Sequence, residues 1–365
     1  MRKKFIDYLC DPLTAKKLKL LVLKKENEQI VSGILFNNAS WYPIINGIPR
    51  ILINKLKADM LRDHYSFYKR YQKKLPGNIR SDWKKEIAKI ANLNKFLAHQ
   101  KKTAESFAYE WNNIYKEETF EKNNFLHFLS PFVQEKGLNN KKVLDVGCGS
   151  GRFTKWASLC GASLAFGTDL GESVDFAYKL TKNMKNVCIV QADIYAMPFK
   201  GQFDIAYSIG VLHHLPKPQD GFSKLPVVLK NKGIITIWVY NRRNNKRALY
   251  FYEPIRTITR KIPKSILIKL CYLPAAVVHC LNYLTRFFNY LGAKKIAKKI
   301  PFAYYTNFSF NMKLNDAFDV LATPKSNYYY FEEIEKWFKR ASLKNIKSFE
   351  HPEAGITCIG TYSYK

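Results

Sequence analysis

The chain has 365 residues, is 47% hydrophobic, and carries 60 lysines and arginines against 29 acids, a formal charge of +31. That length and apolar share allow one catalytic domain with additions around a full core. Seven dispersed cysteines lack disulfide or metal-ligand spacing and read as reduced thiols of a cytoplasmic protein. A basic start followed at once by Asp7, Cys10 and Asp11 argues against a secretory leader, and no uninterrupted apolar run reaches bilayer length.

Residues 1–56 read as a small β-rich module. Phe5 to Leu13 leads into alternating apolar positions at Leu18, Leu20 and Val22, and Asn46-Gly47 between apolar runs is a tight-turn signal. This segment resembles the zinc-ribbon-like module of methyltransferase activator subunits. Metal-binding members of that family use two Cys-x-x-Cys-like pairs; here only Cys10 stands, with Leu13 and Thr14 near the partner position. One thiol cannot build a tetrahedral site, so no zinc is expected, and the module's expected role is packing or partner docking.

Residues 57–135 read as helical, polar and basic. Within them Ser106-Phe-Ala-Tyr-Glu-Trp111 stands out, with Phe107 and Trp111 four apart on one helical face.

Residues 136–240 alternate strand and helix, which predicts a parallel sheet with crossover helices. Val143-Leu-Asp-Val-Gly-Cys-Gly-Ser-Gly151 joins an apolar strand to an acid and three glycines at alternate positions. Bare glycine turns with positive φ and leaves room for a ligand at the sheet's carboxyl edge. A second strand ends at Asp169, a third at Asp193-Ile194, and a fourth, Phe203–Ser208, opens into Val-Leu-His213-His214. Carboxylates thus stand at three successive strand ends, where they can only accept hydrogen bonds. A redox dinucleotide site would favour Gly-x-Gly-x-x-Gly without an acid just before the loop.

Motif by motif, this half resembles the class I S-adenosylmethionine-dependent methyltransferases (the type 11-like domain). The resemblance implies an α/β fold: a doubly wound, Rossmann-like, seven-stranded, mostly parallel sheet. It implies that Asp145, Gly147, Gly149 and Gly151 hold the methionine part of S-adenosyl-L-methionine and that Asp169 takes the ribose hydroxyls. Asp193 would meet the adenine amine, with Ile194 against the ring, and Ser208 would complete the set. The Ser106–Trp111 phrase precedes the cofactor loop in similar enzymes and lies over the cofactor there. His214 is the candidate general base, because imidazole titrates near neutrality; a structural role is open for both His213 and His214, and Tyr240 is open as an acceptor-facing or packed aromatic.

Residues 241–327 read as an insertion. A basic cluster of Arg242, Arg243, Lys246 and Arg247 opens it. An apolar stretch from Ile266 to Leu291 is broken by Lys269, Pro274, His279, Asn282 and Arg286, and Lys294, Lys295, Lys298 and Lys299 follow. A helical cap over the substrate pocket, or a helix lying on a membrane surface, fits this pattern; the interruptions argue against a span. Residues 328–365 supply a helix with Ile334, Trp337 and Phe338 on one face, acids first and bases last, then a two-stranded hairpin.

The charge draws polyanions (RNA, anionic headgroups, phosphorylated carriers), or reflects the lysine bias of AT-rich coding. The expected enzyme is a cytoplasmic methyltransferase, peripheral to the inner membrane face if the charge is used. Its acceptor would be a small molecule or a carrier-linked glycan, lipid or quinone-like group. An RNA or protein methyltransferase, or a non-catalytic binding protein of the same fold, are the alternatives; Ser208-Ile-Gly in place of an Asn-Pro-Pro-Tyr-type motif argues against planar amine acceptors.

Overall fold

A computed structural model describes residues 1–88, 94–117, 120–246, 248–324, 326–351 and 355–363. Arg247 of the basic cluster lies outside them. Eleven strands form one sheet: β1 (Lys19–Glu26), β2 (Gln29–Phe36), β3 (Trp41–Ile45), β4 (Ile48–Ile51), β5 (Lys142–Val146), β6 (Leu164–Asp169), β7 (Val187–Ala192), β8 (Phe203–Ile209), β9 (Leu229–Tyr240), β10 (Lys344–Glu350) and β11 (Gly355–Thr361). Their spatial order is β1-β2-β3-β4-β7-β6-β5-β8-β9-β11-β10. From β4 to β9 neighbours run parallel, and β9, β11 and β10 run antiparallel. The seven strands β5–β11 are the expected doubly wound α/β core, with helices in the crossovers. Strand β5 lies at the switch point, with β6 on one side and β8 on the other, where such sheets open a crevice.

The central strands form where the sequence is apolar without alternation. All six residues of β7 are buried, as are four of five in β5, as parallel strands covered on both faces require. The sheet edges are charged: β1 exposes Lys19, Lys24, Lys25 and Glu26, and β10 exposes Lys344 and Lys347, which discourages further strand pairing.

The N-terminal module does not stand apart. Asn46 and Gly47 both take positive φ (53° and 82°), the geometry of a two-residue hairpin turn, and so deliver β4 beside β7, where Arg50 pairs with Gln191. The sheet therefore has four strands more than the core alone. Fully buried Arg50 bonds Gln191 Oε1 at 2.9 Å and Asp175 Oδ1 at 2.7 Å, so its charge is compensated across the junction. Phe5 and Tyr8 pack their rings on Phe166 of β6, which also meets Phe199 and Phe203. The signal for this seam was faint in the sequence, since only the isolated arginine in an apolar strand distinguishes β4 from an ordinary hairpin arm.

The helices Asn54–Asp63, Tyr65–Tyr71 and Gly77–Ala88 wrap the module around fully buried Trp83, whose ring stacks on Trp41 and Phe67. The longer helix Lys95–Asn113 then crosses the carboxyl edge of the sheet. The insertion is helical as expected, and one helix, Lys264–Tyr290, runs through Pro274 and the other polar interruptions of its apolar stretch. The last helix, Phe331–Arg340, buries Ile334, Trp337 and Phe338; Glu333 accepts from the Tyr330 N–H at 2.8 Å to cap its first turn.

Candidate cofactor crevice

A crevice of about 950 Å³, counting the part open to solvent, lies at the carboxyl ends of β5, β6, β7 and β8, with the helix Lys95–Asn113 as its outer wall. The turn after β5 is fixed by Gly147 N and Cys148 N, which both donate to Thr168 O at 2.7 and 2.8 Å. Gly149 has φ +51°, and a Cβ there would stand 2.8 Å from Trp111 Nε1. A side chain at this position would displace the wall, so glycine is required by both conformation and contact.

Asp169, at the tip of β6, lines the crevice. Its Oδ2 accepts from Gly149 N at 3.0 Å and its Oδ1 from Gly171 N at 2.9 Å, which leaves further lone pairs for a ligand's donors. Burial pushes its carboxyl above the ordinary range, and these backbone bonds oppose that. Asp193, after β7, also lines the crevice and accepts from Gln100 Nε2 at 2.6 Å and from Tyr195 N at 3.1 Å; burial raises its carboxyl too. Ile194, Gly147 and Gly149 are in the same lining, and Phe107 and Trp111 lie in it on the wall helix.

Three residues expected at the cofactor, Asp145, Ser208 and Gly151, stand outside this lining. Asp145 does not line the crevice. It is buried beneath the loop and accepts from Thr154 Oγ1 at 2.7 Å. Ser208 is fully buried and donates to Val146 O at 2.9 Å, tying β8 to β5. Gly151 N-caps the helix Arg152–Leu159, where a Cβ would stand 2.9 Å from Ala177 Cα; its role is close packing. For Asp145 and Ser208 the side-chain direction, set by the strand pleat, is what spacing alone cannot give.

Burial raises the Asp145 carboxyl from 3.8 to about 7, against the Thr154 bond, and repulsion from Asp169 adds to it. The folded chain therefore holds a proton there that the unfolded chain loses near pH 4. The group's contribution to stability is full below pH 4 and is lost as pH rises through 7. Asp145→Asn should remove that dependence: the variant's stability relative to the native chain should be greater at pH 8 than at pH 4, read from urea midpoints. Equal differences at the two pH values would mean that Asp145 is ionised in the fold.

His214 lines the crevice beyond the loop, its ring 5.0 Å from Phe107 and its Nδ1 3.4 Å from Ser326 Oγ. Ser326 Oγ in turn accepts from Arg256 Nη1 at 2.9 Å. His213 is fully buried, neither ring nitrogen has a partner among the described residues, and its ring lies 3.9 Å from that of Tyr240. Burial, then the neighbouring His214 and Arg256, hold it well below the usual imidazole range, so it is a neutral packing group. Tyr240 stacks between His213 and Tyr328. Among the described residues, no cluster of three or more His, Cys, Asp or Glu could hold a metal.

Residues that sequence reasoning missed come from the wall. Gln100, Thr103 and Ala104 join Phe107 and Trp111 on one face, at helical spacing back from Trp111. Three polar atoms of the lining, Gln100 Oε1, Thr103 Oγ1 and Ser150 Oγ, are buried without a partner among the described residues. Such atoms need a ligand or water to bond. With two carboxylates at strand tips, a cradle that a Cβ would fill and aromatic walls, the crevice fits an adenosyl amino acid. Also unforeseen was a group of acids under the insertion: buried Glu110, bonded by Asn315 Nδ2 at 2.7 Å, and Asp316, raised by burial to about 7.

Comparison with known proteins agrees on this region. Residues 144–237 match the family described as "Methyltransferase domain". A tRNA U34 carboxymethyltransferase of Ruthia magnifica is 32% identical over 111 residues, covering 29% of this chain and 34% of that protein. A ubiquinone biosynthesis O-methyltransferase of Pseudomonas aeruginosa is 29% identical over 148 residues, covering 38% of this chain and 63% of that protein. The chain thus spans about a third and somewhat under two thirds of these relatives' lengths. Among solved structures, a magnesium protoporphyrin IX methyltransferase from Synechocystis with bound SAH superposes at TM-score 0.43 and 13% identity, covering 74% of this chain and all of that one. Residues 144–237 are a methyltransferase domain, carried on the class I doubly wound sheet, and S-adenosyl-L-methionine is the cofactor of that domain.

Proposed function

We propose that the protein transfers a methyl group from S-adenosylmethionine to a small or carrier-linked acceptor of glycan, lipid or quinone-like character, reached beneath the insertion. The observation that carries this reading is the way the insertion is fastened beside the crevice, with Ser326 Oγ 3.4 Å from the Nδ1 of the lining residue His214. Ser106 Oγ donates to Ala322 O at 3.3 Å, Asn311 Nδ2 to Ile114 O at 2.8 Å, and Asn327 N to His213 O at 2.8 Å. These bonds tie the insertion both to the wall helix and to the loop after β8. An insertion so attached narrows the approach past His214 and favours a slender acceptor over a folded RNA or protein surface.

The cofactor supplies an electrophilic methyl on a sulfonium. Asp169 accepts from the ribose hydroxyls, and Asp193, oriented by Gln100, accepts from the adenine amine against Ile194. Gly147 and Gly149 admit the amino-acid tail. Phe107, Leu215 and Pro216 exclude water, which raises the value of orientation, on the order of 7–11 kcal/mol of a displacement barrier. His214 receives the proton of a hydroxyl acceptor at a ring nitrogen, steadied by Ser326.

Incubation with methyl-labelled cofactor and cell fractions tests this: label should enter the small-molecule or lipid-soluble fraction. Label confined to RNA or protein would overturn the acceptor class. Once an acceptor is found, His214→Asn should lower kcat by about 10²–10⁴-fold while the cofactor dissociation constant stays within about twofold. An unchanged kcat would remove His214 from proton transfer.

A further inference from the structure

The helix Lys264–Tyr290 shows two opposite faces. Toward the protein it buries Leu267, Cys271, Ala275, Asn282 and Thr285. It is held there by Asn282 Nδ2 to Phe302 O at 2.9 Å and Arg286 Nη2 to Thr306 O at 2.7 Å. The outer face carries Ile266, Leu270, Leu273, Val277, Leu284 and Phe287, each between 49 and 73% exposed. That is an apolar stripe along a rod of about 40 Å, far more than a soluble surface ordinarily leaves uncovered. By length and composition the helix could cross a bilayer, yet its most apolar stretch is only 22% buried within the protein.

Charge decides what covers it. From Pro254 to Asn315 there are eleven lysines and arginines and no aspartate or glutamate. Lys269 flanks the stripe, Arg260 and Lys261 precede the helix, and Lys294, Lys295, Lys298 and Lys299 follow it, all exposed. A second copy of this chain would bring an equal positive field against the first, with no acid in the segment to pair it. A nucleic acid would satisfy the lysines and leave the stripe in water. A span would expose buried Asn282 and Thr285 to lipid and strip the helix from its partners. Tyr272, Tyr283 and Tyr290, all more than half exposed, are the amphipathic rings that suit a headgroup layer.

We propose that this helix is a membrane-surface anchor: it lies in the interface of an anionic bilayer, its stripe among the acyl chains and its lysines on acidic headgroups. This inference does not depend on the methyl-transfer reading, because binding is measured without turnover.

The test is co-sedimentation of the full chain with vesicles of phosphatidylcholine containing 30 mol% phosphatidylglycerol, against phosphatidylcholine alone. Binding should favour the anionic vesicles by at least about tenfold and weaken in 0.5 M salt. Leu273→Glu combined with Phe287→Glu should lower the anionic-vesicle affinity at least about tenfold, as should Gln at all four of Lys294, Lys295, Lys298 and Lys299. Both sets sit on exposed positions, and unchanged thermal melts would establish that they fold. Three results overturn the proposal: stripe variants that bind vesicles like the native chain, a native dimer that the stripe variants split, or resistance to alkaline carbonate extraction, which marks a span. Bulk RNA that displaces the native chain, while stripe variants keep their vesicle affinity, would make the surface a nucleic-acid site instead.

Discussion

Asp169→Ala is expected to raise the dissociation constant for S-adenosylmethionine by at least about tenfold. Hydrogen bonds to a charged group are worth about 1.5–3 kcal/mol each, and every 1.4 kcal/mol is about tenfold in affinity. Two such bonds to the ribose would be lost, and water refilling the gap returns part of their value. The variant also frees Gly149 N and Gly171 N, which Asp169 now holds at 3.0 and 2.9 Å, so the loop loses its brace as well. Asp169→Asn keeps one accepting oxygen and should fall between the two. Calorimetric titration with the cofactor reads the effect, and a thermal melt separates it from unfolding. A dissociation constant equal to that of the native chain would show that the ribose does not meet Asp169.

Phe166→Ala should destabilise the fold by about 3–5 kcal/mol, the usual range for removing a fully buried phenylalanine. The ring is 0% exposed and meets Phe5 at 5.6 Å, Phe199 at 5.3 Å and Phe203 at 5.7 Å, each edge to face. Two of its partners, Phe5 and Tyr8, belong to the N-terminal segment and the others to the core. The cavity would therefore open at the seam between them. Urea unfolding followed by tryptophan fluorescence and by far-ultraviolet circular dichroism should shift together to a lower midpoint. A native chain whose residues 1–56 melt in a separate, earlier transition, untouched by this change, would mean that the shared sheet does not couple the two parts.

Much of the crevice was legible because the relevant signals are local. An acid or glycine at a strand end announces itself through the apolar run before it, and Gly147, Gly149, Asp169, Asp193, Ile194 and His214 all stand in the lining. Asp145 and Ser208 stand outside the lining because their side chains are engaged within the protein, Asp145 by Thr154 Oγ1 and Ser208 by Val146 O, and a period of two places them on opposite faces of the sheet. Gln100 and Thr103 escaped because a helix distant in sequence brings them, and only docking aligns its polar positions with Asp193. The interruptions at Pro274 and Asn282 left the length of the helix open, and the structure runs it through both. Burial of Asn282, with its amide nitrogen bonded to Phe302 O, turns an apparent break into a contact.

Alternating strands and helices, the glycine loop and the acids at strand tips were determined by the sequence itself, since backbone conformation and strand-end chemistry depend on near neighbours. Tertiary structure alone decided the edge-to-edge joining of β4 to β7, the place of Gln100 and Thr103 in the wall, and the bare outer stripe of the helix Lys264–Tyr290. Those features depend on which surfaces meet. Burial is a property of pairs of segments far apart in the chain, and the energy that selects among pairings exists only once they are packed.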